Sequence, residues 1–174
     1  LRAVEGAGEI AMLTRDSASC PVSLALRADG VWEPYETSVM ATLMRECRVF
    51  ADVGANIGYY TMLAAHHMPP GRRIFAFEPD AENHALLERN IALLDDPGVV
   101  ATRAAVSNTS GTTTMYRSGT NLGDHRLFER LEGEGRRTVP TVTLDDFLAE
   151  HEVAPDLIKL CLLYTSDAAD DRLS

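Results

Sequence analysis

The chain has 174 residues, 45% of them hydrophobic and 24% charged, and a formal net charge of −10 at pH 7. That length suits one domain with a real hydrophobic core, and the composition is ordinary for a globular protein. The acidic balance argues against a nucleic-acid backbone as partner, since phosphate binding needs clustered Lys and Arg. No apolar run approaches the roughly 20 residues that span a bilayer.

The first residues (Leu1-Arg2-Ala3-Val4-Glu5-Gly6) include an acid and lack an apolar block, so no secretory signal is expected. The chain begins with Leu1 rather than Met, and its start is expected to be missing. Cys20, Cys47 and Cys161 stand too far apart for a disulfide framework or a zinc site. A reducing cytoplasm is the simple reading, with no metal expected.

Residues 1–31 carry short apolar runs at Ile10–Leu13 and Val22–Leu26 and are expected to form small strands. From Thr37 to Arg45 the apolar positions Val39, Met40, Leu43 and Met44 fall at helical spacing. Val49–Val53 then reads as a buried strand. Gly58–His67 reads as a helix with Tyr60, Leu63, Ala64 and His67 on one face, stopped by Met68-Pro69-Pro70-Gly71. Arg73–Phe77 is a second strand, after which Asp80 is placed to cap a helix through Leu94 with Leu87, Ile91 and Leu94 as its stripe.

Asp95-Asp96-Pro97-Gly98 makes a turn, Val99–Val106 a third strand, and Asn108–Gly111 a turn into another strand at Thr112–Tyr116. A Gly-rich, charged loop (Ser118–Gly135) leads to a strand at Arg137–Val142. Thr143 or Asp145 starts a short helix that ends near His151, and Asp156–Leu160 is a last strand. Strands alternating with helices of this length predict an α/β fold with a parallel, doubly wound sheet.

In such a sheet, ligands bind at the carboxyl ends of the strands near the topological switch point. The first strand ends in Asp52-Val53-Gly54-Ala55-Asn56-Ile57-Gly58, where glycines let the backbone turn sharply and the next helix offers N–H groups to an anion. The second ends in Phe77-Glu78-Pro79, with Glu78 twenty positions after Gly58. A carboxylate there can accept hydrogen bonds from both ribose hydroxyls of an adenosine ligand.

A dinucleotide site wants Gly-x-Gly-x-x-Gly, because a pyrophosphate sits against the turn. Here the spacing is Gly-x-x-x-Gly, and Asp52 stands just ahead of it, where it would repel a pyrophosphate. A carboxylate at that point favours a ligand carrying an ammonium, as the methionine end of S-adenosylmethionine does. The methyl donor therefore fits better than NAD or FAD. Each residue also has a plain structural reading: Asp52 as a helix cap, Gly54 and Gly58 for tight packing, Glu78 as a solvated strand-end charge. The two features together, at this spacing, favour the ligand.

At this point the residues resemble the FkbM family of S-adenosylmethionine-dependent methyltransferases. The resemblance rests on Phe50-Ala51-Asp52-Val53-Gly54-Ala55-Asn56-Ile57-Gly58-Tyr59-Tyr60-Thr61, on Phe77-Glu78-Pro79, and on Ala105-Val106-Ser107-Asn108 followed by Gly111-Thr112. It continues in Val139-Pro140-Thr141-Val142-Thr143-Leu144-Asp145-Asp146-Phe147 and Asp156-Leu157-Ile158-Lys159, with Trp32-Glu33-Pro34-Tyr35-Glu36 as a lead-in. It implies a Rossmann-like class I methyltransferase fold and O-methylation of a small-molecule acceptor such as a sugar, polyketide or other secondary metabolite. By the same resemblance Asp52, Gly54, Asn56 and Gly58 hold the methionine moiety, with Ala55 beside them. Glu78 and Pro79 meet the ribose, Ala105 and Val106 lie against the adenine, and Glu33 and Glu36 close the pocket. Trp32 reads better as a packing residue than as a substrate platform.

After Ile158-Lys159-Leu160 the family continues with Asp-x-Glu-Gly, an acidic strand end facing methyl group and substrate. This chain instead reads Cys161-Leu162-Leu163-Tyr164-Thr165-Ser166-Asp167-Ala168-Ala169-Asp170-Asp171-Arg172-Leu173-Ser174. That string resembles translated sequencing-adapter read-through; a natural short variant is the second reading. The expected organisation is thus a lead-in at 1–36, a partial cofactor-binding domain at 37–160, incomplete on its C-terminal side, and a non-native tail at 161–174. Such a chain is expected to fold poorly alone and to methylate nothing.

Other candidates are weaker. His66 and His67 are adjacent, so they point to different faces and suit a helix end better than a metal. Asp145 and Asp146 read as helix capping. His125 with Asp124 in the Ser118–Gly135 loop could serve as a general base, though a lone loop histidine is more often solvated. Catalytic residues therefore stay unassigned. The competing readings are an NAD-dependent oxidoreductase and a non-catalytic nucleoside-binding module.

Overall fold

The computed structural model describes residues 10–16, 20–117, 125–126 and 135–160. Helix α1 (Pro21–Ala28) opens on Pro21, whose fixed φ suits a first helical position, and buries Val22, Ser23 and Leu26. This corrects the expectation of small strands in 1–31: Val22 and Leu26 are four apart and share one helical face. Ile10, Met12 and Leu13 pack on the same core without joining a ladder. Instead the Asn90 side chain accepts the Leu13 N–H at 2.6 Å and donates to its carbonyl at 3.1 Å, standing in for a strand partner.

Helix α2 (Pro34–Met44) buries Thr37, Ala41 and Met44. The expected face is therefore rotated: Val39 and Leu43 are exposed, in line with Tyr35. The chain then runs through β1 (Val49–Val53), α3 (Tyr59–His67), β2 (Arg73–Phe77), α4 (Ala81–Ile91) and β3 (Val99–Thr102). After these come β4 (Ala105–Val106), β5 (Gly111–Arg117), β6 (His125–Arg126), β7 (Gly135–Val142), α5 (Leu144–Glu150) and β8 (Leu157–Leu160). Both predicted strands flanking the glycine turn, β1 and β2, have the bounds read from the sequence.

The first sheet has the order β3-β2-β1-β8 and is parallel throughout. Its side chains alternate between two covered faces, as the pleat requires. Phe50, Ile74, Val99 and Leu157 point into one core with α3 residues Tyr60, Leu63 and Ala64. Phe75 and Phe77 point the other way, against Leu148 and Phe147 of α5. Helices on both faces of a parallel sheet make this a doubly wound, Rossmann-like α/β fold. Because α3 is wedged inside, Tyr59 through Ala65 are all buried, and the expected single apolar face does not exist.

The third strand is not continuous. The chain breaks at Arg103–Ala104, where the Ala104 N–H bonds the Thr102 carbonyl at 3.0 Å, and β4 leaves to pair with β7. The second sheet, ordered β4-β7-β5-β6, packs Ala105, Met115 and Val139 together. Thr143 caps α5 by accepting the Asp146 N–H at 3.1 Å, while its hydroxyl donates to Asp146 at 2.6 Å. Asp156 then clasps the start of β8 to the start of β1: its carboxylate accepts the N–H groups of Arg48 at 2.7 Å and Val49 at 2.9 Å. Those two bonds hold the Asp156 carboxyl below the usual carboxylate range.

Candidate functional site

From β1 the chain steps outward to β2 and β3, then returns to place β8 on the other side of β1. The switch point, where a parallel sheet opens a crevice, therefore lies at the carboxyl ends of β1 and β8. Val53 is in register with both Phe77 and Leu160, so the segments that follow β1 and β2 emerge at one level.

The turn after β1 bends through left-handed backbone at Gly54 (φ 77°), Asn56 (φ 53°) and Gly58 (φ 93°). It curls back on β2. The N–H groups of Gly54 and Ala55 both reach the Phe77 carbonyl at 3.0 Å, that of Gly58 reaches Ala55 at 2.8 Å, and that of Ile57 bonds Asn56 Oδ1 at 2.8 Å. The Asn56 N–H donates to Glu78 Oε2 at 2.8 Å. Every N–H from Gly54 to Gly58 is thus occupied inside the protein. The sequence reading had the following helix offer its donors to an anion; only the first turn of α3, which has no side-chain cap, keeps them open.

Glu78 is 3% exposed, so it is no solvated strand-end charge. Its second oxygen accepts the Asp80 N–H at 2.9 Å, which ties the turn after β1 to the start of α4. Asp80 in turn caps α4 by accepting from Glu82 at 3.0 Å and Asn83 at 2.9 Å. Burial pushes the Glu78 carboxyl up to about 7; the Asp80 and Asn56 N–H groups oppose this and the Asp80 charge adds to it. The Asn83 side chain is a further donor to it, and of a carboxylate's roughly four acceptor sites about one remains. Pro79 lies half-buried between these two capping acids.

Asp52 is fully buried. It does not cap a helix; its Oδ2 accepts the Thr61 hydroxyl at 2.7 Å, and its Oδ1 has no hydrogen-bond partner among the described residues. Lys159 of β8, in register with Asp52, brings its ammonium to 3.7 Å from that oxygen. The same ammonium lies 3.5 Å from the Gly54 carbonyl and 4.9 Å from the centre of the Tyr60 ring. Tyr60 is fixed from the far side, donating its hydroxyl to Glu33 at 2.7 Å. Burial and the Glu33 carboxylate both raise the phenol, so it stays a donor.

The structure therefore gathers Asp52, Gly54, Ala55, Asn56, Gly58, Glu78 and Pro79 along one edge. Val106 reaches the same end of the sheet, against the cluster around Phe77, while Ala105 turns into the core of the second sheet. Of the two lead-in acids, Glu33 joins the network through Tyr60, and Glu36 lies exposed on α2. Trp32 packs on the main core. The side chains of Asp124 and His125, the rest of the Ser118–Gly135 loop and the tail at 161–174 lie outside the described residues. Lys159 carried no assigned role in the sequence; its place beside Asp52 follows from a pairing 107 residues apart, which no local pattern encodes.

A family model described as the methyltransferase FkbM domain matches residues 52–160. Comparison with curated proteins gives no match. Among solved structures, a precorrin-6y C5,15-methyltransferase from Geobacter metallireducens is similar at 22% identity and a TM-score of 0.37, over 44% of this chain and 42% of that one. An O-methyltransferase from Bacillus cereus, solved in complex with SAH, is similar at 17% identity and a TM-score of 0.37, over 45% of this chain and 37% of that one. This chain thus spans less than half the length of either structure. The family assignment rests on the domain match, which begins at the buried carboxylate of β1 and ends with β8. This chain belongs to the FkbM methyltransferase family.

Proposed function

We propose that this chain is the cofactor-binding part of an S-adenosylmethionine-dependent O-methyltransferase acting on a small-molecule acceptor. S-adenosylmethionine is the cofactor of the family, and the acceptor class we favour is a sugar, polyketide or other secondary metabolite. The observation that carries this reading is Asp52: a fully buried carboxylate at the switch point, with one oxygen lacking a hydrogen bond among the described residues. That open oxygen suits the ammonium of an amino-acid end, while the Lys159 ammonium 3.7 Å away offsets the carboxylate's charge toward other ligands. Glu78, already anchored by two backbone donors, would receive the ribose. In this reading residues 37–160 form the cofactor-binding region and 1–36 lead into it.

Methyl transfer runs in line from sulfonium to an acceptor oxygen, so positioning supplies much of the rate. No helix among the described residues is long and apolar enough to cross a membrane; the wide cysteine spacing supports a cytoplasmic setting.

Titration calorimetry with S-adenosylhomocysteine, repeated with NAD present, tests the assignment. S-adenosylhomocysteine should bind and NAD should leave that binding unchanged; the reverse pattern would favour an oxidoreductase. Glu78→Ala should weaken binding by roughly 1–3 kcal/mol, the range for lost hydrogen bonds to a charged group. Unchanged affinity in that variant removes the ribose role.

A further inference from the structure

Beside Asp52 stands a cation that the family reading leaves without a task. Lys159 and Asp52 are cross-strand neighbours on the face that meets α3. Their charges cancel, but the pairing is loose. The ammonium sits 3.7 Å from Asp52 and 3.5 Å from the Gly54 carbonyl, both longer than the roughly 2.7–2.9 Å of a charge-assisted bond. An ammonium has three donors, so Lys159 retains capacity for another oxygen. Its side chain is 18% exposed where that of Asp52 is 0%, making Lys159 the member of the pair that an arriving ligand meets.

We propose that Lys159 receives the carboxylate of the cofactor's amino-acid end while Asp52 receives its ammonium, so that the pair selects a zwitterion. This rests on the reading that the pocket takes S-adenosylmethionine. Two observations carry it further. The backbone donors of the glycine turn are all occupied within the protein, so a carboxylate arriving there finds none from Gly54 to Gly58. The Tyr60 ring, held by Glu33, supports the Lys159 ammonium from its face at 4.9 Å and keeps it at the mouth of the crevice. A neutral Asp52–Lys159 pair can split to meet both charges of an α-amino acid; without Lys159 the ligand carboxylate is left to the first-turn amides of α3.

The test measures dissociation constants for S-adenosylhomocysteine and for its decarboxylated analogue, which keeps the amine. The unsubstituted chain should prefer S-adenosylhomocysteine by about tenfold or more, as expected for one hydrogen bond between charged groups. Lys159→Met should collapse that preference to within about threefold, and Lys159→Arg should restore it. A preference that survives in Lys159→Met overturns the proposal and hands the carboxylate to the first-turn amides of α3. Equal weakening of both ligands also overturns it, because it marks a purely structural lysine. If the unsubstituted chain binds neither ligand, the cofactor reading itself falls and takes this inference with it. Should Lys159→Met not fold, Lys159→Gln, which keeps a polar end without charge, is judged by the same criteria.

Discussion

Burial and hydrogen bonding pull the Glu78 carboxyl in opposite directions, and burial prevails, leaving it at about 7 against 4.5 for a free glutamate. The folded chain therefore holds a proton through a window in which the unfolded chain has released it. The stability this adds is fully present below about 4.5 and is lost as pH rises through about 7, a change of about 3 kcal/mol across the window. Cofactor binding should respond the other way, since ribose hydroxyls donate best to the ionised carboxylate. Urea unfolding of the parent and Glu78→Gln at pH 5 and pH 8 should show the excess loss in the parent only. Over the same window the affinity of the parent for S-adenosylhomocysteine should rise with pH. A parent and variant that lose stability in parallel would mean that Glu78 is already ionised at pH 5.

At the level of elements, the β1 turn depends on Gly58. Its φ of 93° is left-handed, and a Cβ there would stand 2.6 Å from the Leu87 side-chain tip. The tip can rotate, but the backbone conformation cannot be relieved in the same way. Gly58→Ala should therefore cost about 1–2 kcal/mol by chemical denaturation. Elements with short-range causes were legible in the sequence. The glycine turn punctuates β1, Met68-Pro69-Pro70-Gly71 ends α3 ahead of β2, and Asp80 caps α4 as expected. What escaped was decided at a distance. Ala105 and Val106 continue an apolar run, yet their partner is β7, some 36 residues on, and that pairing breaks the strand. Residues 10–13 have strand composition but meet the Asn90 side chain instead of a strand. Of the candidate site, the acids and glycines were readable, while Lys159 depended on the long return of β8 to β1.

For the whole molecule, β8 is the outermost strand of its sheet among the described residues, with Ile158 41% and Leu160 53% exposed. Apolar side chains on an edge strand invite pairing with a second copy. Replacing Ile158 and Leu160 together by lysine should reduce concentration-dependent self-association in sedimentation experiments. Unfolding free energy should shift by no more than about 0.5 kcal/mol per site, as is usual for surface positions. Association unchanged by the pair of lysines would locate the sticky surface elsewhere, with the exposed Tyr35, Val39 and Leu43 line of α2 next to examine. The inward-facing amides of the glycine turn carry a different consequence. With each N–H from Gly54 to Gly58 already bonded within the protein, this loop should trade its protons with deuterated solvent as slowly as the strands beside it. Ligand arrival should leave that pace nearly unchanged. The crevice is then stiff along its glycine wall, and recognition amounts to the Lys159 side chain adjusting within a fixed frame.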